Sequence, residues 1–250
     1  MPKPRPTENA EGVPSGKGRS AVDAASAQDA LPAGTDSANV SLSRVAYDEV
    51  LGQILNGTLR SKDIVHEGRI AAELGVSRTP MREAIGKLEG EGFLVRSGRA
   101  LQVRELTLAD YLEIVHMRRT LECEAIGIAV EAVGQGDFSE ALLRTLRDEV
   151  DGLPLDASHE AYWSLDTRLH GAIVDAAGSK LLSDYVRSLR QRTLLFWNDR
   201  PRSRLEVGRS EHLAIIDALL ARDKPAAVAA MRQHLDNIRN DALRSLWRFG

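Results

Sequence analysis

The sequence predicts a mainly α protein in two parts: three short helices closed by a small β-hairpin, then an all-α antiparallel helical bundle. Three observations carry that prediction. Apolar residues recur at helical spacing over most of the chain beyond residue 40. Two extended runs flanking a glycine-containing loop interrupt that period. Beyond them, breaks at Gly or Pro divide the remaining chain into helical stretches. With 250 residues there is length enough for two domains of ordinary size.

Residues 1–40 are rich in Pro, Gly, Ser, Ala and Asp and lack an apolar period, so a disordered tail is expected there. Order is expected from about Ser41. Val45, Val50, Leu51, Ile54 and Leu55 fall at helical spacing, and Asn56-Gly57 stops that helix. A second helix is expected from about His66 to Leu74, with Ile70, Ala71 and Leu74 on one face and Gly75 ending it. The third starts near Ser77–Pro80. Ser77 or Thr79 offers a capping hydroxyl, and Pro80 sits in the first turn, where a missing N–H forfeits no helical bond. Met81, Ala84, Ile85 and Leu88 form its buried stripe. The runs Phe93–Arg96 and Leu101–Arg104 read as strands, and Ser97-Gly98-Arg99-Ala100 between them reads as a tight hairpin loop. Three helices and a hairpin over residues 41–105 make a winged helix-turn-helix.

From Thr107 the pattern is helical throughout. Thr107 and Asp110 make a capping-box-like start. Helices are expected near 107–133, 138–152, 157–177, 179–199, 203–222 and 224–247, with breaks at Gly134/Gly136, Gly152-Leu153-Pro154, Gly178, Pro201 and Pro225. Residues 106–250 therefore read as a bundle whose interior can house a site.

Composition narrows the class. Hydrophobic residues at 43% and charged residues at 28% suit a soluble globular protein, and 4% aromatics leave the core to Leu, Ile, Val and Ala. One cysteine, Cys123, excludes an intramolecular disulfide framework and fits a reducing cytosol. No apolar run approaches the roughly 20 residues that span a bilayer. No apolar segment follows the N-terminal basic residues, so no secretory signal is read. A cytoplasmic protein without a membrane partner is expected. The net charge of −3 hides a local excess: residues 77–104 carry six Arg or Lys against three Glu. That local sign matters more than the total, because attraction to phosphate is screened beyond about 10 Å at ordinary salt.

The segment Leu74 to Ala84 carries the strongest local signal. A helix, a Gly-containing turn and a second helix bring the second helix's N-terminal end to the front of the domain, where it can enter a major groove about 12 Å wide. Its free N–H groups and partial positive charge also suit phosphate. Arg78, Thr79 and Arg82 lie on the polar side of the stripe. Arginine can bond guanine O6 and N7 together, and Ser or Thr suits phosphate oxygens. Any one of these arginines could equally be a solvated side chain; the whole arrangement is what favours DNA.

The segment Gly75–Ala84, followed by Lys87-Leu88-Glu89 and Glu91-Gly92-Phe93, resembles the winged-helix domain of GntR regulators nearly residue for residue. The resemblance implies DNA contacts from Ser77, Arg78, Thr79 and Arg82, with Gly98 at the wing tip near the minor groove or backbone. Two departures occur. Leu59-Arg60-Ser61-Lys62-Asp63 stands where the family often has Pro-Gly, and Gly68 precedes Arg69 where a basic residue is common. Arg69 is thus the helix-two candidate for DNA.

Asp166 and His170 lie four apart on one expected helix, with His212 and His234 on two others. One carboxylate and three imidazoles form a ligand set suited to Zn²⁺, Ni²⁺, Mn²⁺ or Fe²⁺. By spacing alone each histidine is equally an ordinary core or surface residue, as His66, His116 and His159 are read to be. Resemblance adds weight. Leu165–His170 with Asp175–Gly178, Glu211–Leu219 and Ala230–Leu235 resemble three stretches of the FCD effector domain, which marks the FadR-like branch of the GntR family. The resemblance spans roughly residues 43–240 and looks closer to the six-helix form of that domain. It implies a divalent metal on Asp166, His170, His212 and His234. Arg118 matches a family arginine that can pair with an effector carboxylate, or else form a salt bridge with Glu122 or another acid.

The expected function is a DNA-binding transcription regulator. It would act as a homodimer on a double-stranded operator, with its affinity modulated by a small-molecule effector, a carboxylate, at the metal site. It is not read as an enzyme. The alternatives are a metal-dependent hydrolytic enzyme, or a DNA-binding dimer whose helical domain is purely structural.

Overall fold

The computed structural model describes residues 35–154, 156–197 and 205–247. Helix α1 (Thr35–Leu55) buries Ala46, Tyr47, Val50, Leu51 and Ile54, spaced so that they share one face. It begins six residues ahead of the expected start near Ser41, so the expected tail of residues 1–40 is corrected at its C-terminal end. Thr35, Asp36 and Ser37 are cap-type residues suited to a helix start, but they add no apolar period for a pattern to register. The remainder of the expected tail, 1–34, lies outside the described residues.

Helices α2 (Glu67–Leu74) and α3 (Arg78–Gly90) follow. The turn between them exists because Gly75 adopts φ +65°, a left-handed conformation nearly free of penalty only for glycine, and its N–H closes on the α2 carbonyls. Pro80, Met81, Ala84, Ile85 and Leu88 of α3 are buried against α1. Strands β1 (Leu94–Ser97) and β2 (Ala100–Val103) pair antiparallel from Leu94↔Val103 to Ser97↔Ala100. That register leaves Gly98-Arg99 as a two-residue turn with positive φ at Gly98, +61°, and not at Arg99, as a type II′ hairpin turn requires.

The wing also has a third edge, for which the sequence suggested no element. The N–H groups of Lys62 and Val65 donate to the Val103 and Leu101 carbonyls at 2.9 and 2.8 Å, and Val103 N–H donates to Asp63 at 3.0 Å. Four residues with a single apolar pair are too short to show a period. Arg96 of β1 then ties the wing to both reading helices, through Glu67 of α2 and Glu89 of α3.

The second half contains α4 (Leu108–Ala132), α5 (Glu140–Asp151), α6 (His159–Ala176), α7 (Lys180–Trp197), α8 (Leu205–Leu220) and α9 (Lys224–Trp247). Thr107 and Asp110 form the expected capping box, and the Ser139 and Ser158 hydroxyls cap α5 and α6. The expected end of α7 and start of α8 fall in 198–204, outside the described residues. Helix α4 is central, packed against α6, α7 and α9, while α8 lies against α5 and α9. Among the described residues no helix is long and apolar enough to cross a membrane.

Two apolar cores result. One fills the bundle, around Ile126, Leu143, Leu169, Ile215 and Met231. The other, beneath the winged helix, also takes in Tyr111 and Ile114 of α4, Leu195 and Phe196 of α7 and Ala242 of α9. Tyr111 and Phe196 stack there with ring centroids 4.2 Å apart. The reading head is therefore seated on the bundle through α4 and α7.

Candidate functional site

The front of the head is a cationic ridge. Ser77 is the N-cap of α3, yet its hydroxyl makes no capping bond, which leaves it available to an outside partner. Arg78, Thr79 and Arg82 project from the exposed side of α3, opposite the buried stripe. Among the described residues, neither Arg78 nor Arg82 forms an ion pair. Gly98 and Arg99 are exposed at the wing tip. Arg69, also exposed, sits on α2 with Glu73 at 3.6 Å. A helix N-terminus and guanidinium groups unpaired among the described residues, beside a β-wing, form a surface suited to an anion.

The bundle holds the opposite kind of site. α6 supplies Asp166 and His170, α8 supplies His212 and α9 supplies His234. All four are buried, at 4% exposure or less, and their ligand atoms lie within 4.8 Å of one another. Helix periodicity accounts for the α6 pair, since residues four apart share a face. The convergence of the other two is tertiary.

Each arm of the cluster is held from behind. Glu122 of α4 pairs with His170 Nδ1, and Arg118 Nε donates to Glu122 at 2.7 Å. Glu211 accepts from His234 Nδ1 at 2.8 Å and from Asn237 Nδ2 at 2.7 Å. Arg190 Nη2 donates to Asp166 Oδ2. The other carboxylate oxygen, Oδ1, lies 3.1 Å from His212 Nε2 and 3.6 Å from His170 Nε2. Tyr162 stacks on His212 with ring centroids 5.6 Å apart. Carboxylates behind imidazole Nδ1 atoms fix the tautomer, turn the Nε2 lone pairs inward and raise their basicity.

The electrostatics select the metal-ready protonation states. Burial pushes the Glu122 carboxyl up, but Arg118, His170 and Arg190 outweigh burial and hold it well below the usual carboxylate range. For Asp166, burial is likewise overcome by Arg190, His212 and His170. Burial and then the Arg190 charge press His170 down to about 3, against the pull of Glu122 and Asp166, so its imidazole is neutral. A neutral imidazole and an ionised carboxylate are the forms that bind a metal.

The donor set fits a divalent cation on an observation independent of sequence motifs. Among the described residues, His170 Nε2 and His212 Nε2 are buried and have no hydrogen-bond partner. A buried polar atom left in this way costs about 1–3 kcal/mol, and a cation beside Asp166 Oδ1 would satisfy both. The structure thus offers a buried Asp/His₃ cluster competent for a metal ion.

The structure brings the four residues read as candidate ligands together in the bundle and places the α3 residues read as DNA contacts on its exposed side. Sequence reasoning missed three supports: Glu122, Glu211 and Arg190. Glu211 adjoins His212, and Glu122 lies one helical turn from Arg118, so a weak signal existed for both. Nothing in the sequence distinguishes Arg190 from its neighbours. Arg118, read from the sequence as a partner either for an effector carboxylate or for Glu122, is 2% exposed and forms the Glu122 salt bridge. His66 and His116 are exposed, outside the cluster.

A winged reading head on a helical bundle with an internal polar site defines a DNA-binding regulator with an effector domain. Comparison with known proteins agrees. Residues 42–102 match the model of bacterial regulatory proteins of the gntR family, and residues 113–237, half the chain, match that of the FCD domain. The chain belongs to the GntR family of bacterial transcription regulators and carries an FCD effector domain. It is 29% identical to the Nta operon transcriptional regulator of Aminobacter aminovorans, over 72% of this chain and 86% of that protein. With the transcriptional repressor RspR of Escherichia coli it shares 28% identity, over 71% and 82%. Its fold is that of Escherichia coli McbR/YncC, with a TM-score of 0.70 at 21% identity, covering 82% of this chain and 98% of that one. The family and the two sequence relatives are regulators of transcription, which sets aside the hydrolytic alternative.

Proposed function

We propose that this protein is a metal-dependent, carboxylate-responsive transcription regulator that acts as a homodimer in the cytoplasm. Residues 41–105 form the reading head and residues 106–250 the sensing and dimerising part. Ser77, Arg78, Thr79 and Arg82 contact the operator in the major groove, Gly98 approaches the backbone or minor groove at the wing, and Arg69 adds a phosphate contact. Two heads on a twofold axis read half-sites of a near-palindromic operator about one helical turn apart.

Asp166, His170, His212 and His234 hold the ion, for which Zn²⁺, Ni²⁺, Mn²⁺ and Fe²⁺ are the candidates. When bound, the ion supplies a Lewis-acid centre suited to carboxylate oxygens of a small organic acid. Arg118 serves this site indirectly, by fixing Glu122 behind His170. The observation that carries the reading is the inward convergence of buried candidate ligand atoms, two of them without a hydrogen-bond partner among the described residues, in a protein whose other site is an open cationic ridge.

Coupling between the two sites is supported by α7. Arg190 touches Asp166 at one position of this helix, and Leu195 and Phe196, less than two turns on, pack in the core under the head. A ligand that favours one placement of α7 would shift the heads between two arrangements through its differential affinity for them. A coupling of about 1–3 kcal/mol corresponds to a roughly 5- to 150-fold change in operator affinity. The test is fluorescence anisotropy on an operator selected from genomic fragments, with metal-loaded and metal-stripped protein and a panel of small organic acids. Equal operator affinity under every condition would refute the sensing role. Loss of DNA binding on stripping alone would identify the metal as a structural element of the fold.

A further inference from the structure

Arg190 is the least expected member of the site. It sits on α7 at 3% exposure, so its charge lies in the interior. Nη2 is committed to Asp166 Oδ2. The guanidinium lies over the Trp163 ring, 5.4 Å from its centroid. Nη1 is different. It is buried, has no hydrogen-bond partner among the described residues, and stands 3.7 Å from Glu122 Oε2, beyond hydrogen-bond reach.

An unsatisfied N–H of a cation is among the costliest groups to leave inside a protein. The surrounding charges do not remove the demand, because Glu122 is already engaged by Arg118 and His170. Asp166 meets Arg190 through one oxygen and faces the imidazoles through the other, which sets the guanidinium next to the Asp/His cluster, with Nη1 on the side of Glu122. A planar guanidinium with one arm held and the other vacant is shaped to receive an oxyanion.

We propose that Arg190, through Nη1, is the residue that recognises the carboxylate of the effector, the role the sequence suggested for Arg118. The assignment rests on the carboxylate-responsive reading above and names the side chain that makes the response specific for an anion. Trp163 lies against the guanidinium, and Arg118 keeps Glu122 from capturing Nη1. The ligand class is a small organic acid in its ionised form; the corresponding neutral amide lacks the second acceptor oxygen and the charge.

The experiment uses the full-length, metal-loaded protein and its Arg190→Lys and Arg190→Gln variants. Affinities for acetate, lactate, malonate and citrate, and for malonamide as the neutral control, are measured by calorimetry alongside metal content by mass spectrometry. Arg190→Lys keeps a cation for Asp166 but removes the second, fixed donor. The expected result is unchanged metal content in Arg190→Lys, carboxylate affinity weakened about tenfold or more in both variants, and no binding of malonamide to any form. Wild-type affinity in both variants would overturn the assignment of Arg190 while leaving the carboxylate reading intact. Loss of metal from Arg190→Lys would also overturn it, since Arg190 would then act by positioning Asp166. A wild-type protein that holds its metal and binds none of the acids would remove the carboxylate reading itself, and this assignment with it.

Discussion

The two halves of the molecule use arginine in opposite ways. On α3, Arg78 and Arg82 are exposed and unpaired among the described residues. In the bundle, Arg118 and Arg190 are buried at 2% and 3% exposure and joined to Glu122 and Asp166. On the proposed reading, the first pair keeps its charge for a polyanion that arrives from outside. The second neutralises carboxylates that themselves orient imidazoles. A guanidinium on the surface contributes little to stability, because water and salt screen it. In the interior the same group cannot lose its partner without leaving an uncompensated charge. Substitutions at the two places should therefore fail in different assays.

The largest effect is expected at Asp166. Asp166→Ala removes a ligand and strands the Arg190 charge, so unfolding free energy should fall by about 3–5 kcal/mol, read from urea denaturation. Metal content should be lost in the same variant. A protein that keeps both would show that the buried network is dispensable and would erase the contrast between the halves.

Next come Arg78→Ala and Arg82→Ala. Each should weaken operator binding by about 1–3 kcal/mol if it reads a base, or lower the slope of log affinity against log salt by about 1 if it holds a phosphate. Unfolding free energy and metal content should remain those of the parent. Unchanged operator affinity in both variants would mean that the ridge on α3 is not the reading surface.

Ser77 and Thr107 sharpen the comparison at a finer scale, since both are N-caps. Thr107 accepts from Asp110 N–H at 3.1 Å and takes part in a capping box, whereas Ser77 makes no such bond. Thr107→Ala should cost about 1 kcal/mol of stability. Ser77→Ala should cost less than about half of that in stability and weaken DNA binding instead.

The smallest effect concerns pH at the same cap. The Thr107 hydroxyl and backbone hold the Asp110 carboxyl below its ordinary value, against burial, with Arg104 and Arg192 assisting. A carboxylate depressed in the folded state stabilises above its unfolded value and loses that contribution as pH falls through the folded one. The penalty of Thr107→Ala should therefore be constant near neutrality and shrink below about pH 4. A penalty that stayed constant through the acid range would assign the cap to the hydroxyl alone.

Much of this molecule was legible in its residues. The turn at Gly75, the wing turn at Gly98, the stripe of Met81, Ala84, Ile85 and Leu88, and the capping box at Thr107 are all local, and each appeared where its chemistry put it. The four metal-ligand candidates were also readable, because Asp166 and His170 share a helical face and the remaining histidines lay in stretches resembling a known domain. What escaped was the third wing edge at 62–65, the early start of α1 and the three supports of the cluster. None of these has a periodic signature, and the short-range cues at Thr35–Ser37, Glu122 and Glu211 do not say which partners the packing supplies.

The sequence alone determined the succession of helices, the hairpin between them and the cationic end of α3, because helical period, glycine at positive φ and capping hydroxyls act over only a few residues. Only the tertiary structure decided that Glu122, Arg190 and Glu211 stand behind the ligands, that Arg118 serves a carboxylate of its own chain, and that α7 joins the buried cluster to the core beneath the reading head. Those relations depend on which helices pack together, and a buried charge takes its partner from whatever the packing brings within reach.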